Sequence, residues 1–260
     1  MFEVLGVKFD SLTINEAATK ARDFLNSGKQ NLIFTPNPEM LVDAQSDQYF
    51  KKVLNSSNLN LSDGFGVSFV SFGKIKRITG ADFVLKLCEL AQMENKSIYL
   101  LGAGSKEVLQ KTSDNLKKQF PNLRIAGFSP GPKIDFLVVE GENKIFAEQN
   151  ANDDAIHDII MTAPDILFVA FGHNKQEKWM YENIKNLPSV RVVMGVGGSF
   201  DYIAGFNSLG EITKRAPCFL RKIGLEWLYR LFKQPWRIKR IFKATVVFVM
   251  LVIYKRFKKV

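Results

Sequence analysis

Residues 61–67 read LSDGFGV, so one carboxylate, Asp63, follows a short apolar run and is flanked by Gly64 and Gly66. A carboxylate held just past a strand can act as a general base, or it can cap the helix that follows. The residues alone leave both roles open. Glycines at such a turn permit positive φ or a close backbone approach to a ligand. In TPNPEM (35–40), Asn37 is a good N-cap and Pro38 a good first helical residue. Free amides would then point back past Thr35 at an anion, although ordinary capping explains the motif equally well. In FGHNKQEKW (171–179), Asn174 suits a helix cap, Lys175 phosphate, Gln176 a base or sugar, and Trp179 the core. GVGGSFD (195–201) brings three glycines and Asp201 to the end of a strand, which is a nucleotide seat or simply tight packing.

Other chemistries lack their residues. YLLGAGSKE (99–107) opens like a dinucleotide fingerprint, but Glu107 stands where the third glycine belongs and no acidic residue is clearly placed for a ribose. A nicotinamide-dependent oxidoreductase therefore stands only as an alternative. There is no Walker A loop and no DxD pair, and His157 and His173 are not spaced as ligands. Neither a metal nor a cofactor is expected, and surface or capping roles are expected for both histidines. The two cysteines, Cys88 and Cys218, form no CxxC and follow no secretory signal, which suits a reducing cytoplasm.

These loops need a scaffold, and the hydrophobic pattern supplies one. Short β-like runs at 31–35, 59–61, 97–101, 124–128, 166–171 and 191–195 alternate with helical patterns at 38–54, 81–94, 106–120, 152–162 and 175–186. The alternation predicts an α/β fold, a mostly parallel, Rossmann-like sheet with helices on both faces. The polar loops fall beyond the carboxyl ends of the strands, where such sheets bind ligands. The stretch 130–152, with PGPK and EGENK, reads as a surface insertion or hairpin. With 260 residues, 46% of them hydrophobic, the chain can bury one substantial core.

Charge divides the chain into a catalytic body, 1–213, and a basic amphipathic helical C-terminal appendage, 214–260. The appendage holds 14 Lys and Arg against Glu226 alone, a net of +13, which leaves −3 for the body out of the chain's +10. Trp227, Leu228, Leu231, Phe232, Trp236, Ile241 and Phe242 interleave with those cations at helical spacing. That pattern suits an anionic membrane surface better than nucleic acid. The run ATVVFVMLVIY (244–254) is shorter than the roughly 20 apolar residues of a spanning helix and is expected to lie in or dip into the interface. A non-catalytic membrane or nucleic-acid binding module is a second alternative, but it leaves the polar loops of the body unexplained.

Taken together, TPNPEM, SDGFGV, RITGAD (77–82), ILFVAFG with KQEKW, GVGGSFD and RAPCFLRKIGLEWLYRL (215–231) resemble the bacterial WecG/TagA/CpsF glycosyltransferases, in that family's order. The resemblance implies transfer of an N-acetylmannosamine-type sugar from a UDP donor to polyprenyl-diphosphate-linked GlcNAc. Such a step builds the wall teichoic acid linkage unit or a related surface polysaccharide, with inversion and a β-1,4 bond. It places the catalytic base on Asp63 and the pocket on Thr35, Asn37, Arg77 and Gln176. It also brings Arg215 and Arg221 over a diphosphate. The family usually has proline where Asn174 stands, which leaves Gln176 in register. With arginines and helix N-termini to meet the leaving UDP, metal-independent transfer is expected. A lipid-linked acceptor implies peripheral attachment to the cytoplasmic face of the plasma membrane, and a homo-oligomer is left open.

Overall fold

The computed structural model describes residues 2–222, 224–233 and 235–258; the side chains of Cys218, Lys222, Arg230 and Lys233 lie outside that description. Phe2–Val4 (β1) and Val7–Phe9 (β2) pair as an antiparallel hairpin ahead of a helix, Ile14–Asn26 (α1). Asn31–Phe34 (β3), Pro38–Ser46 (α2), Gln48–Asn55 (α3), Leu59–Asn60 (β4), Phe65–Val70 (α4) and Gly80–Met93 (α5) follow. Ser97–Gly102 (β5), Lys106–Gln119 (α6) and Arg124–Ser129 (β6) lead to a second hairpin, Ile134–Val139 (β7) with Glu142–Ala147 (β8). The body closes with Gln149–Thr162 (α7), Ile166–Ala170 (β9), Lys175–Asn183 (α8), Val192–Gly195 (β10) and Ser199–Ala204 (α9). The tail is helical: Cys218–Lys222 (α10), Glu226–Lys233 (α11), Ile238–Phe242 (α12), a π turn at Lys243–Val247, and Phe248–Phe257 (α13).

The central sheet has six strands in the order β4-β3-β10-β9-β5-β6, every pair parallel. It is the expected α/β architecture, although the order differs from the 3-2-1-4-5-6 of dinucleotide-binding folds. Its strands are apolar on both faces because both faces are covered. Leu32, Phe34, Tyr99, Leu101, Leu167, Val169 and Val193 join one core with α2, α3, α7 and α8. The alternate residues Ile33, Ile98, Leu100, Ile166, Phe168, Val192 and Met194 join a second core with α1, α5, α6 and α9. Trp179 is fully buried in the first core, as its position on α8 implies.

Two departures from the sequence pattern matter. The helix expected over 38–54 is broken at Asp47, which closes α2 and caps α3 by accepting from Phe50 N at 2.8 Å. Asp47 also pairs at 2.7 Å with Lys178, a fully buried lysine of α8 whose ammonium donates to Asn143 O of β8 and lies over the rings of Tyr49, Phe50 and Phe136. That cage ties the 130–152 segment, a hairpin as expected, to the body. The second departure is in the tail. Phe248 is fully buried and Val252 nearly so against the body, while Met250, Ile253, Tyr254 and Phe257 face outward. Residues 244–254 therefore pack one face on the protein and expose the other. Among the described residues no helix is long and apolar enough to cross a membrane.

Candidate active site

The loops at the carboxyl ends of β4, β3, β10 and β9 converge on a cleft of about 440 Å³. It brings together six of the expected residues: Thr35, Asn37, Asp63, Gln176, Asp201 and Arg215. The rest of the wall includes His173, Glu177, Arg237 and Arg240. Arg77 and Arg221 do not line this cleft. Arg77 lines an adjoining, more apolar groove of about 400 Å³ with Phe65, Phe69, Trp227, Phe248 and Val249. Cleft and groove share Asn37, Asp63, Glu226, Arg237 and Arg240, so Asp63 stands where the two meet.

Asp63 caps a helix, but not the one that follows it. Its Oδ1 accepts from Gly80 N at 3.1 Å, at the start of α5, whereas α4 has no side-chain cap. Thr35 sits against the same spot, its Oγ1 3.1 Å from where a Cβ on Gly80 would lie. Asn37 caps α2 as expected, accepting from Met40 N at 3.1 Å, with Pro38 at the first turn. Gly64 and Gly66 have negative φ and owe their identity to Pro38. A Cβ at either would lie 2.2 or 2.9 Å from that ring, so they let α4 close on α2.

Arg77 knits the site to the tail. Its Nε donates to Asp63 O at 3.1 Å, its Nη1 to Arg221 O at 2.7 Å, and its Nη2 to the Glu226 carboxylate at 3.0 Å. Arg215 donates to Asp82 at 2.7 Å and Thr79 at 3.3 Å, and Arg221 stands 3.8 Å from the same Asp82 oxygen. Burial would raise the Asp82 carboxyl, but the Arg215 and Thr79 hydrogen bonds outweigh it and hold it below the usual range. The two predicted arginines thus anchor the tail to α5, and only Arg215 reaches the cleft.

The opposite wall is built on α8. Asn174 does not cap it: the residue has a φ of 67°, makes no side-chain cap bond, and its buried Oδ1 has no hydrogen-bond partner among the described residues. Gln176 is held at both ends, its Oε1 accepting from Gly197 N at 3.0 Å and its Nε2 donating to Glu177 Oε1 at 2.7 Å. Glycine at 195 leaves room for that amide, since a Cβ there would lie 2.7 Å from Gln176 Nε2 and the side chain would have to shift. Asp201, at the start of α9, has its carboxyl pushed up to about 6 by burial, against a smaller pull from Arg237.

Sequence reasoning missed Glu177, His173, Arg237 and Arg240. The last two, one helical turn apart, carried a spacing signal. His173 Nε2 lies 2.6 Å from Asp43 Oδ2, so this histidine is neither a surface nor a capping residue. One atom each of Glu39, Asp43 and His173 falls within 4.8 Å of the others, a grouping that chain spacing conceals. Both carboxylates are already taken by cations. Arg240 grips Glu39 at 2.9 and 3.0 Å, and Lys243 donates to Asp43.

A family model described as "Glycosyl transferase WecG/TagA/CpsF family" matches residues 2–260. An N-acetylglucosaminyldiphosphoundecaprenol N-acetyl-beta-D-mannosaminyltransferase of Bacillus subtilis is 36% identical over 214 residues, covering 81% of this chain and 74% of its own. Proteins of the same name from Bacillus spizizenii and Staphylococcus aureus are 33% and 29% identical. They match 84% and 95% of this chain, and 77% and 90% of their own lengths. The chain belongs to the WecG/TagA/CpsF family of glycosyltransferases.

Proposed function

We propose that this glycosyltransferase moves an N-acetylmannosamine-type sugar from UDP to a polyprenyl-diphosphate-linked GlcNAc, with inversion, and that Asp63 is the base. The observation that carries the reading is the place of Asp63 between a polar cleft and an apolar groove. A nucleotide-sugar suits the first, whose wall includes Arg215, Arg237 and Arg240 for the diphosphate. A sugar on an isoprenoid carrier suits the second. The names of the relatives supply the sugar and the acceptor, and their family removes the ground for the oxidoreductase and the non-catalytic readings.

In this mechanism the acceptor hydroxyl attacks the anomeric carbon from the face opposite UDP, the bond to the diphosphate oxygen breaks, and Asp63 takes the hydroxyl proton. The Gly80 N–H on Oδ1 fixes the carboxylate for that task. Thr35, Asn37, Gln176 and Asp201 hold the donor, and Arg215, with Arg237 and Arg240, balances the charge that develops on UDP, while Arg221 stands behind Arg215 at their shared Asp82. Residues 214–260 form the appendage that seats the enzyme, peripherally, on the cytoplasmic face of the membrane.

The test is acceptor-dependent UDP release from UDP-N-acetylmannosamine in EDTA. Wild type should turn over, and Asp63→Asn should lose about 10²–10⁴-fold while staying folded, because an amide oxygen still accepts from Gly80. A variant as fast as wild type rules out Asp63 as the base. No turnover with any UDP-sugar overturns the donor assignment.

A further inference from the structure

Arg77 is bonded to Asp63 on one side and to the tail on the other. The segment 77–80 runs beside 62–63: Ser62 and Arg77 form a parallel bridge, Ile78 N donates to Ser62 O at 2.9 Å, and Gly80 N donates to Asp63 Oδ1 at 3.1 Å. Arg77 Nε adds a bond to the Asp63 carbonyl at 3.1 Å. Main chain and carboxylate of Asp63 thus both take their place from this segment.

The tail aims that Nε. A guanidinium is planar and rigid, so fixing its two Nη atoms fixes the direction of Nε–H. Nη1 donates to Arg221 O at 2.7 Å and Nη2 to Glu226 Oε2 at 3.0 Å. Of the three acceptors around Arg77, two are main-chain carbonyls and only Glu226 brings a side chain. Its side chain is 15% exposed and that of Arg77 19%, so water competes little for the pair. An acid in the first turn of a helix, as Glu226 is in α11, is favoured by the helix dipole alone. That preference would be met in solvent, whereas Glu226 turns inward to the wall that cleft and groove share. Just before it stands Gly224, at a φ of 79°, where a Cβ would lie 2.5 Å from the Phe65 ring. The turn into α11 is therefore seated against the loop that carries Asp63.

We propose that Glu226 is a positioning residue for the transfer: it holds Arg77, and Arg77 holds the main chain of Asp63. The inference rests on Asp63 being the base. Glu226 acts through the guanidinium and takes no proton itself.

Steady-state UDP release by the full chain, with UDP-N-acetylmannosamine and the lipid-linked acceptor varied in turn, tests this. A misplacement of about 1 Å can cost about 10²-fold, so Glu226→Ala should lower kcat about 10–100-fold and leave the donor KM within about threefold of wild type. Glu226→Gln keeps an oxygen at the same reach and should recover kcat to within about threefold of wild type. Glu226→Asp, one methylene short, should lose rate as Glu226→Ala does, and it carries the test if Glu226→Ala fails to fold. In an Asp63→Asn background, with no base to place, Glu226→Ala should cost less than about threefold more. Wild-type kcat in Glu226→Ala, a Glu226→Gln variant as slow as Glu226→Ala, or equal losses in both backgrounds overturn this inference and leave Asp63 as the base. Asp63→Asn as fast as wild type overturns the base, and this inference with it.

Discussion

At Asp201 the pocket stores an electrostatic cost. Its carboxyl is raised from 3.8 to about 6 by burial, so the folded chain holds a proton that the unfolded chain releases. The stabilisation tied to that proton is complete below about pH 3.8 and is lost as pH rises through about 6. Asp201→Asn has no proton to lose. In urea unfolding across about pH 4.5 to 7.5, the variant should gain on wild type as pH rises, levelling off above about 7. A difference independent of pH would mean that Asp201 ionises as it does in the unfolded chain. Asp201, Asp63 and Gln176 were legible in sequence because each follows an apolar strand within a glycine-rich or polar loop. The roles of Arg77 and His173 were not, since their partners, Glu226 and Asp43, lie 149 and 130 residues away.

Among the elements, the six sheet strands could be read because each is a short run with apolar residues on both faces. Other elements depend on contacts that no local pattern carries. The break at Asp47 comes from a cap on α3 reinforced by Lys178, 131 residues distant. The N-terminal hairpin is only three residues per strand. Helix α1, by contrast, announces itself with a capping box, Thr13 and Glu16, which the strand-and-helix pattern passed over. Helix α13 shows how a tail of interfacial composition also belongs to the core. Its Phe248 ring would lie 3.4 Å from a Cβ on Gly66, and Arg240 and Lys243 clamp Glu39 and Asp43 one turn apart on α2. Phe248→Ala should therefore cost about 3–5 kcal/mol in urea unfolding, whereas Met250→Ala, on the exposed face, should stay within about 0.5 kcal/mol. Equal costs would mean that α13 does not dock on the body as described.

For the whole molecule, charge and apolar surface point the same way. The appendage's +13 is set beside exposed Trp227, Phe232, Trp236, Ile238 and Phe242. Next to them, Phe65, Phe69, Phe72 and Ile253 line an apolar hollow of about 560 Å³ that shares Phe65, Phe69 and Val249 with the groove at Asp63. A path of apolar side chains thus runs from the outer surface to the proposed base, as a carrier lipid anchored in a bilayer would require. Each basic residue near an anionic leaflet contributes about 1 kcal/mol, while buried aromatic area adds a term that salt does not screen. Co-sedimentation should show strong binding to vesicles containing anionic lipid and weak binding to neutral ones. It should fall as salt rises toward about 1 M, where the Debye length shrinks to about 3 Å. Trp236→Glu, which removes apolar area and adds a negative charge, should weaken binding at every salt concentration while leaving the melting temperature of this exposed site unchanged. Equal binding to neutral and anionic vesicles would leave the apolar term alone in charge and remove the basic tail from the account of membrane docking.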